Sequence, residues 1–521
     1  MVEAGMGEVA AIEQSLTRFL LVLCVSLSVA ILPRLFGWFR QIPYTLMLVI
    51  VGLGLALFNV RLVELSPGLI LAIFLPPLLF EAAWNLRWQG LKEQLVPVCL
   101  FALLGVVVTI AGITLGLTQL GGLSLSVALL VGACLSATDP VSVVALFREL
   151  GVDKKLATVM EGESLFNDGM AVVAFSFLLG FTLGKTELAL QPILLQLVSF
   201  VGIGVGVGLL VGFAISYLTQ RFDLPLVEQS LTLIAAYGAY LLAEEFGGSG
   251  VIATVATGLI LGNFGSRIGM NPRTRVIVTE FWEFIAFFVN SIVFLLIGTQ
   301  VNFASLIDNI GLVGLTIAAM TVARLLFIYT LGFVSNRLAP ANPLSLPEQT
   351  VLWWGGLRGS VSIALALSVP AILPERADII DTVFGAVLFT LLIQGLTIKP
   401  LLNGFNLLAD QAVKNRYLEA IARRTALQRV LNFLQTAADR PGIEPDFYNY
   451  QVSLVQGELS SIDREIDVMD DEYPNVREFA QDQLKEELLA IEAETYAELV
   501  QAGQLSRELP SLLEASEQPA S

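Results

Sequence analysis

The chain has 521 residues, of which 55% are hydrophobic and only 14% charged, with a mean hydropathy of +0.76. Soluble domains carry about 25% charged residues, so this composition excludes a soluble globular enzyme and describes a chain that crosses a membrane many times. The net charge of −17 argues against nucleic-acid binding, which needs a basic face; most of the acid lies after Asp439, in a polar tail, and says little about the apolar part.

The first apolar run follows Glu3, Glu8 and Glu13. A secretory signal carries a basic leader, so the run reads as a retained span. A spanning helix needs about 20 largely apolar residues. On that rule the sequence predicts thirteen spans, at 15–36, 42–58, 68–86, 95–119, 124–147, 155–183, 192–219, 228–246, 250–264, 279–299, 310–335, 348–373 and 380–404. Cytoplasmic loops are enriched in Lys and Arg. With the N-terminus outside, the odd-numbered loops hold Arg34 and Arg40, Arg87 and Lys92, Arg148, Lys154 and Lys155, Arg221, then Arg267, Arg273 and Arg275, then Arg337. The even-numbered loops hold only Arg61, Lys185 and Arg376. An odd span count also puts the basic run from Lys414 to Arg429 inside. The expected fold is therefore an all-α polytopic membrane protein with about 13 transmembrane helices and a helical cytoplasmic tail. Its domains are a transmembrane part, 1–409, and an acidic tail, 410–521.

Two spans are broken. Pro140 interrupts the fifth, because proline removes a backbone donor and ends or bends a helix. Gly355, Gly356 and Gly359 interrupt the twelfth. Breaks at corresponding places in two halves mark inverted-repeat transporters. Spans 1–6 and 8–13 then form the halves, with the seventh as linker. The glycines of that seventh span, Gly202, Gly204, Gly206 and Gly208, read as a close helix-packing face. Cys24, Cys99 and Cys134 all fall in apolar runs and form no disulfide or metal pattern. There is no histidine, so a proton handled near neutral pH falls to a carboxylate. Beyond 404 a basic amphipathic stretch at 412–438, a break at 439–442 and a Glu-, Leu- and Ala-rich stretch at 451–505 make the tail. Its expected roles are packing and solubility or, through a partner, regulation.

The chemistry sits in Ala137-Thr138-Asp139-Pro140 and Glu161-Gly162-Glu163-Ser164-Leu165-Phe166-Asn167-Asp168. Ionisable groups at membrane depth are costly and mark function. Residues four apart share a helix face. Ser164 and Asp168 therefore point together, and Glu163 and Asn167 point about 100° away. Hard cations take oxygen ligands, and a broken helix frees carbonyls to serve as ligands. Side-chain oxygens of Asp139, Ser164 and Asp168 with the Thr138 carbonyl make a candidate Na⁺ site. A proton competes for the same oxygens, and that competition is the simplest route to exchange.

These residues resemble the signature of the monovalent cation–proton antiporters, the NhaP/NHE-type Na⁺/H⁺ antiporter family. Phe74-Leu75-Pro76-Pro77-Leu78-Leu79-Phe80-Glu81, Ala323-Arg324 and Gly355-Gly356-Leu357-Arg358-Gly359 extend the resemblance over roughly 15–405. It implies a homodimer of thirteen-span protomers in the bilayer, each with dimerisation helices and a six-helix core of broken, crossing helices, no cofactor, and residence in the plasma (inner) membrane. It implies that Asp168 carries the ion or proton, that Asp139, Thr138 and Ser164 complete the cation site, and that Asn167 pairs with Glu81. Asn167-Asp168, where other members have two aspartates, implies electroneutral exchange of one Na⁺ (or Li⁺ or K⁺) for one proton. A buried Glu163 needs a partner, with Arg324 favoured over Arg358. The competing classes are weaker. An intramembrane aspartyl protease needs a carboxylate dyad sharing a proton and a Gly-x-Gly-Asp that is absent. A cation channel would repeat a filter, and none is visible; a transport-related sensor has no distinct signal.

Overall fold

A computed structural model describes residues 2–36, 42–58, 63, 65–150, 152–185, 190–221, 224–266, 270, 272–405, 407, 409–437 and 444–472, with isolated positions to 499. Arg40, Arg61, Arg267 and the 439–442 break lie outside the described residues. Every regular element described is helical. In chain order these are α1 (Val2–Leu35), α2 (Tyr44–Leu57), α3 (Leu75–Asn85), α4 (Trp88–Glu93), α5 (Leu95–Cys99), α6 (Gly105–Gln119), α7 (Leu125–Cys134), α8 (Val141–Leu150), α9 (Lys154–Thr182) and α10 (Leu190–Thr219). There follow α11 (Pro225–Glu245), α12 (Gly250–Ile260), α13 (Pro272–Thr299), α14 (Phe303–Asp308), α15 (Ile310–Leu338), α16 (Leu346–Trp354), α17 (Ser360–Leu367), α18 (Arg376–Phe389), α19 (Gly395–Gly404), α20 (Ala409–Ala437) and α21 (Pro445–Glu472). Single π-turns at Leu69–Phe74, Leu100–Leu104, Leu261–Gly265 and Thr390–Gln394 run into α3, α6, the end of α12 and α19.

Among the described residues, eight helices are long and apolar enough to cross a membrane. Four further apolar helices, at Tyr44–Leu57, Leu69–Asn85, Leu125–Cys134 and Gly250–Gly265, are shorter. The long helices turn large apolar side chains outward, as on α1 (Phe19, Leu27, Ile31) and α10 (Leu195, Val198, Leu210, Phe213). Such faces suit lipid rather than water.

The transmembrane unit packs as two bundles. In one, α2 and α1 lie on α13, and α3, α10 and α11 surround α12. In the other, α6, α7, α9, α15, α17 and α18 pack together, with α16 against α15. Small residues set the close crossings. Gly52 of α2 and Gly298 of α13 meet backbone to backbone, so a Cβ on Gly52 would stand 2.9 Å from the Gly298 Cα. On α10 the packing face is narrower than the sequence suggested. A Cβ on Gly204 or Gly208 would strike α12 or the residue before it, at 2.8 Å from Ser249 O and 2.5 Å from Ala253 O, whereas Gly202 and Gly206 face open space. The helical repeat selects every fourth residue, and the glycines two apart fall on the far side.

The tail is a separate unit. In it α20 and α21 form a helical pair closed by Tyr417, Ala420, Ile462, Ile466 and Met469. Exposed ion pairs such as Arg416–Glu465, at 2.9 Å, flank that seam.

Candidate functional site

Two helices end in mid-bundle and restart after an extended step. α7 stops at Cys134 and α8 begins at Val141; α16 stops at Trp354 and α17 begins at Ser360. The sequence dictates both breaks. Asp139 precedes a proline and is steered away from helical geometry, while Pro140 suits the position just before a new helix. At the other break the glycines admit close neighbours. A Cβ on Gly356 would fall on the Arg324 guanidinium, and one on Gly359 would fall on the Asp139 carboxylate. The two steps cross, and Asp139 N donates to Leu357 O at 2.9 Å. We expect Gly359→Ala to overpack this crossing and cost about 1–3 kcal/mol. A thermal midpoint in detergent equal to that of the native chain would show that the crossing is loose.

Each break leaves two half-helix ends inside the bundle, with partial negative charge at C-termini and partial positive charge at N-termini. The arginines take the first kind. Arg358 Nη1 donates to Ser136 O (3.1 Å) and Ala137 O (2.8 Å), just past the end of α7. Arg324 donates through Nε to Leu352 O (3.2 Å) and Trp353 O (3.1 Å), and through Nη2 to Leu352 O (2.9 Å), at the end of α16. Asp139 takes the second kind. Its carboxylate accepts from Val141 N at 3.1 Å and lies near the Ser360 N–H, the first residues of α8 and α17. One carboxylate therefore faces both N-termini, and one guanidinium closes each C-terminus.

α9 supplies the remaining groups. Glu163, Ser164, Asn167 and Asp168 are all buried. Glu163 accepts from Arg324 at 2.8 Å (Nη1–Oε1) and 3.2 Å (Nη2–Oε2), a two-pronged pair. Arg324, rather than Arg358, is thus the partner of Glu163. Thr138 is held from three directions. Its N–H donates to Asn167 Oδ1 (3.1 Å), its Oγ1 accepts from Asn167 Nδ2 (2.6 Å), and its carbonyl accepts from Ser164 Oγ.

This changes two expectations. Asn167, expected to pair with Glu81, is fixed by Thr138, while Glu81 Oε1 accepts from Asn85 Nδ2 at 2.6 Å, one turn along its own helix. Ser164 and Asn167 were also expected to work on separate faces. Both reach Thr138, because the extended step lies across α9 and presents its N–H, hydroxyl and carbonyl to neighbouring turns. Asp168, unlike Glu163, Ser164 and Asn167 on the same helix, keeps a buried oxygen, Oδ1, with no hydrogen-bond partner. Asp139 and Arg358 lie within electrostatic range of it.

Thr390 is a residue the sequence did not single out. Its Oγ1 accepts from Arg358 N at 3.0 Å and donates to Val387 O at 2.8 Å, at the start of a π-turn. A lone threonine in an apolar span gives no signal of this; only the crossing places it under Arg358.

Residues 24–404 match a family profile described as "Sodium/hydrogen exchanger, transmembrane". The chain belongs to the sodium/hydrogen exchanger family. The match ends at Gly404, where α19 ends. Similarity to individual exchangers continues into the tail. The chain is 58% identical over 514 residues to the Na⁺/H⁺ antiporter ApNhaP of Aphanothece halophytica, covering 98% of each chain. It is 54% identical over 514 residues, again 98% of each, to the low-affinity Na⁺/H⁺ antiporter NhaS1 of Synechocystis. The structure of the sodium proton antiporter MjNhaP1 of Methanocaldococcus jannaschii aligns with a TM-score of 0.61 at 20% identity, covering 76% of this chain and 99% of that one. The exchanger fold is shared with it.

Proposed function

We propose that this exchanger-family chain is a secondary transporter that exchanges Na⁺ for H⁺ across a membrane. The observation that carries the reading is Asp168, a buried carboxylate with one oxygen unpartnered, beside the crossing of two broken helices. A monovalent cation and a proton each complete that oxygen, and each excludes the other. Asp139 lends a second carboxylate, and Ser164 and the Thr138 carbonyl complete an oxygen cage. Among the described residues no three Asp, Glu, His or Cys side chains are grouped to hold a metal ion; two carboxylates with neutral oxygens suit a monovalent ion. Arg324, Glu163, Arg358 and Asn167 hold the cage.

Access alternates as the bundle carrying Asp168 moves against the other. The chain has thirteen spans, counting the shorter helices and the α16–α17 pair. It works as a homodimer in the plasma membrane, with N-terminus outside and C-terminus in the cytoplasm, and the tail beyond 409 serves as a regulatory appendage. Asn167 leaves Asp168 as the one titrating member of its pair, so one proton leaves for each Na⁺ bound. The test is purified protein in proteoliposomes under a ΔpH, with Na⁺, Li⁺, K⁺ and Ca²⁺ added in turn. Na⁺ should move protons, and silence toward every cation would sink the reading. The initial rate should also be the same at imposed potentials of either sign. A rate that follows the potential would replace electroneutral with electrogenic exchange.

A further inference from the structure

The two bundles meet through surfaces of contrasting chemistry. Next to Asp168, Gly169 lies against Ile252, where a Cβ would stand 2.7 Å from the Ile252 side chain. Two apolar surfaces of this kind slide without exchanging hydrogen bonds. The first turn of α2 makes a polar contact instead. Thr45 Oγ1 and Ser142 Oγ are 2.6 Å apart, with the residues only 7% and 2% exposed. A threonine near a helix start commonly bonds local backbone. Here α2 has no side-chain cap, and the Thr45 hydroxyl reaches across to α8.

The place of this contact matters. Ser142 lies three residues beyond Asp139, in the first turn of the half-helix whose N-terminus faces that carboxylate. The next residue of α2, Leu46, is fully buried and sits over Gly395. A Cβ at Gly395 would lie 2.9 Å from Leu46 Cδ1 and 3.6 Å from Cδ1 of Leu357, which belongs to the second break. One turn of α2 therefore touches the helix after the first break and the packing behind the second. The rest of α2 is committed to α13 through the Gly52–Gly298 crossing, so it cannot follow α8 if the bundles move apart.

We propose that the Thr45–Ser142 hydrogen bond, with Leu46 seated at Gly395, is a latch between the two bundles, closed in the conformation described here and parted once in each exchange cycle. The proposal rests on the alternating-access reading of the Asp168 site. A buried hydroxyl pair is suited to the task. Its net worth corresponds to about a 2- to 10-fold bias between conformations, enough to hold one state and too little to trap it. When it opens, both hydroxyls need water, so it opens toward a wetted side.

The test uses the full chain in proteoliposomes. Thr45→Cys and Ser142→Cys are introduced together and singly into a Cys24→Ser, Cys99→Ser, Cys134→Ser background. Reduced, all should exchange. After oxidation with copper phenanthroline, only the double variant should stop, and a reductant should restore it. A cross-linked double variant that exchanges at its reduced rate would overturn the latch. Thr45→Val provides a second readout that needs no new thiols: the Na⁺ concentration at half-maximal rate should shift by about 2- to 10-fold, and an unchanged value would also overturn it. If the unmodified chain moved no protons with Na⁺, the exchange reading itself would fall, and the latch with it.

Discussion

Asp168→Asn is expected to abolish Na⁺-driven proton movement while leaving the fold in place. Asparagine matches aspartate in size and fits the same buried position on α9. It keeps an oxygen at Oδ1 but loses the negative charge and the ability to take a proton. Asp168 Oδ1 makes no hydrogen bond in the crossing, and the neighbouring holds on Thr138 come from Ser164 and Asn167. The thermal midpoint without Na⁺ should therefore stay close to that of the native chain. A ligand that binds only the folded state stabilises it by about 2.7 kcal/mol at a hundred times its Kd. Added Na⁺ should raise the native midpoint and leave that of Asp168→Asn unmoved. Robust Na⁺-driven proton flux in the variant would remove Asp168 from the ion path.

The second large effect is on stability. Glu163→Gln leaves the Arg324 guanidinium buried without its counter-charge, and breaking one side of a buried pair costs about 3–5 kcal/mol. Arg324→Met should cost more. It strands Glu163 and also removes the donors to Leu352 O and Trp353 O at the end of α16. The double variant Glu163→Gln, Arg324→Met should lose less than the sum of the two, because no uncompensated charge is left. Thermal unfolding in detergent, followed by the fraction of monodisperse protein, measures all three. A loss below about 1 kcal/mol for Glu163→Gln would mean that solvent reaches the pair and that the burial seen at Glu163 (1%) and Arg324 (4%) is not maintained.

Much of the site was legible before the fold. Breaks at Pro140 and at Gly355, Gly356 and Gly359 follow from backbone chemistry that any context must respect. The burial of Asp168, Glu163, Ser164 and Asn167 follows from their place in an apolar run too long to leave the bundle. The membership that the 24–404 match establishes was readable from the ordered motifs. The sequence also put Ser164 beside the Thr138 carbonyl, which accepts from its hydroxyl.

Partner choice between elements was another matter. Periodicity says which residues share a face of one helix, but nothing about the height or rotation of the next. Only the packed chain could assign Arg324 to Glu163, leave Arg358 to close the end of α7, or move the Asn167 amide from Glu81 to Thr138. It alone divided four evenly spaced glycines of α10 into two whose Cβ would strike α12 or its N-terminus and two whose Cβ would meet open space. The sequence by itself determined a membrane protein with two broken helices and a carboxylate left between them, because solvation and backbone sterics act locally. The tertiary structure decided which oxygens around the crossing are already spent and left Oδ1 of Asp168 without a partner, because hydrogen bonds between distant segments exist only once the crossing has brought them together.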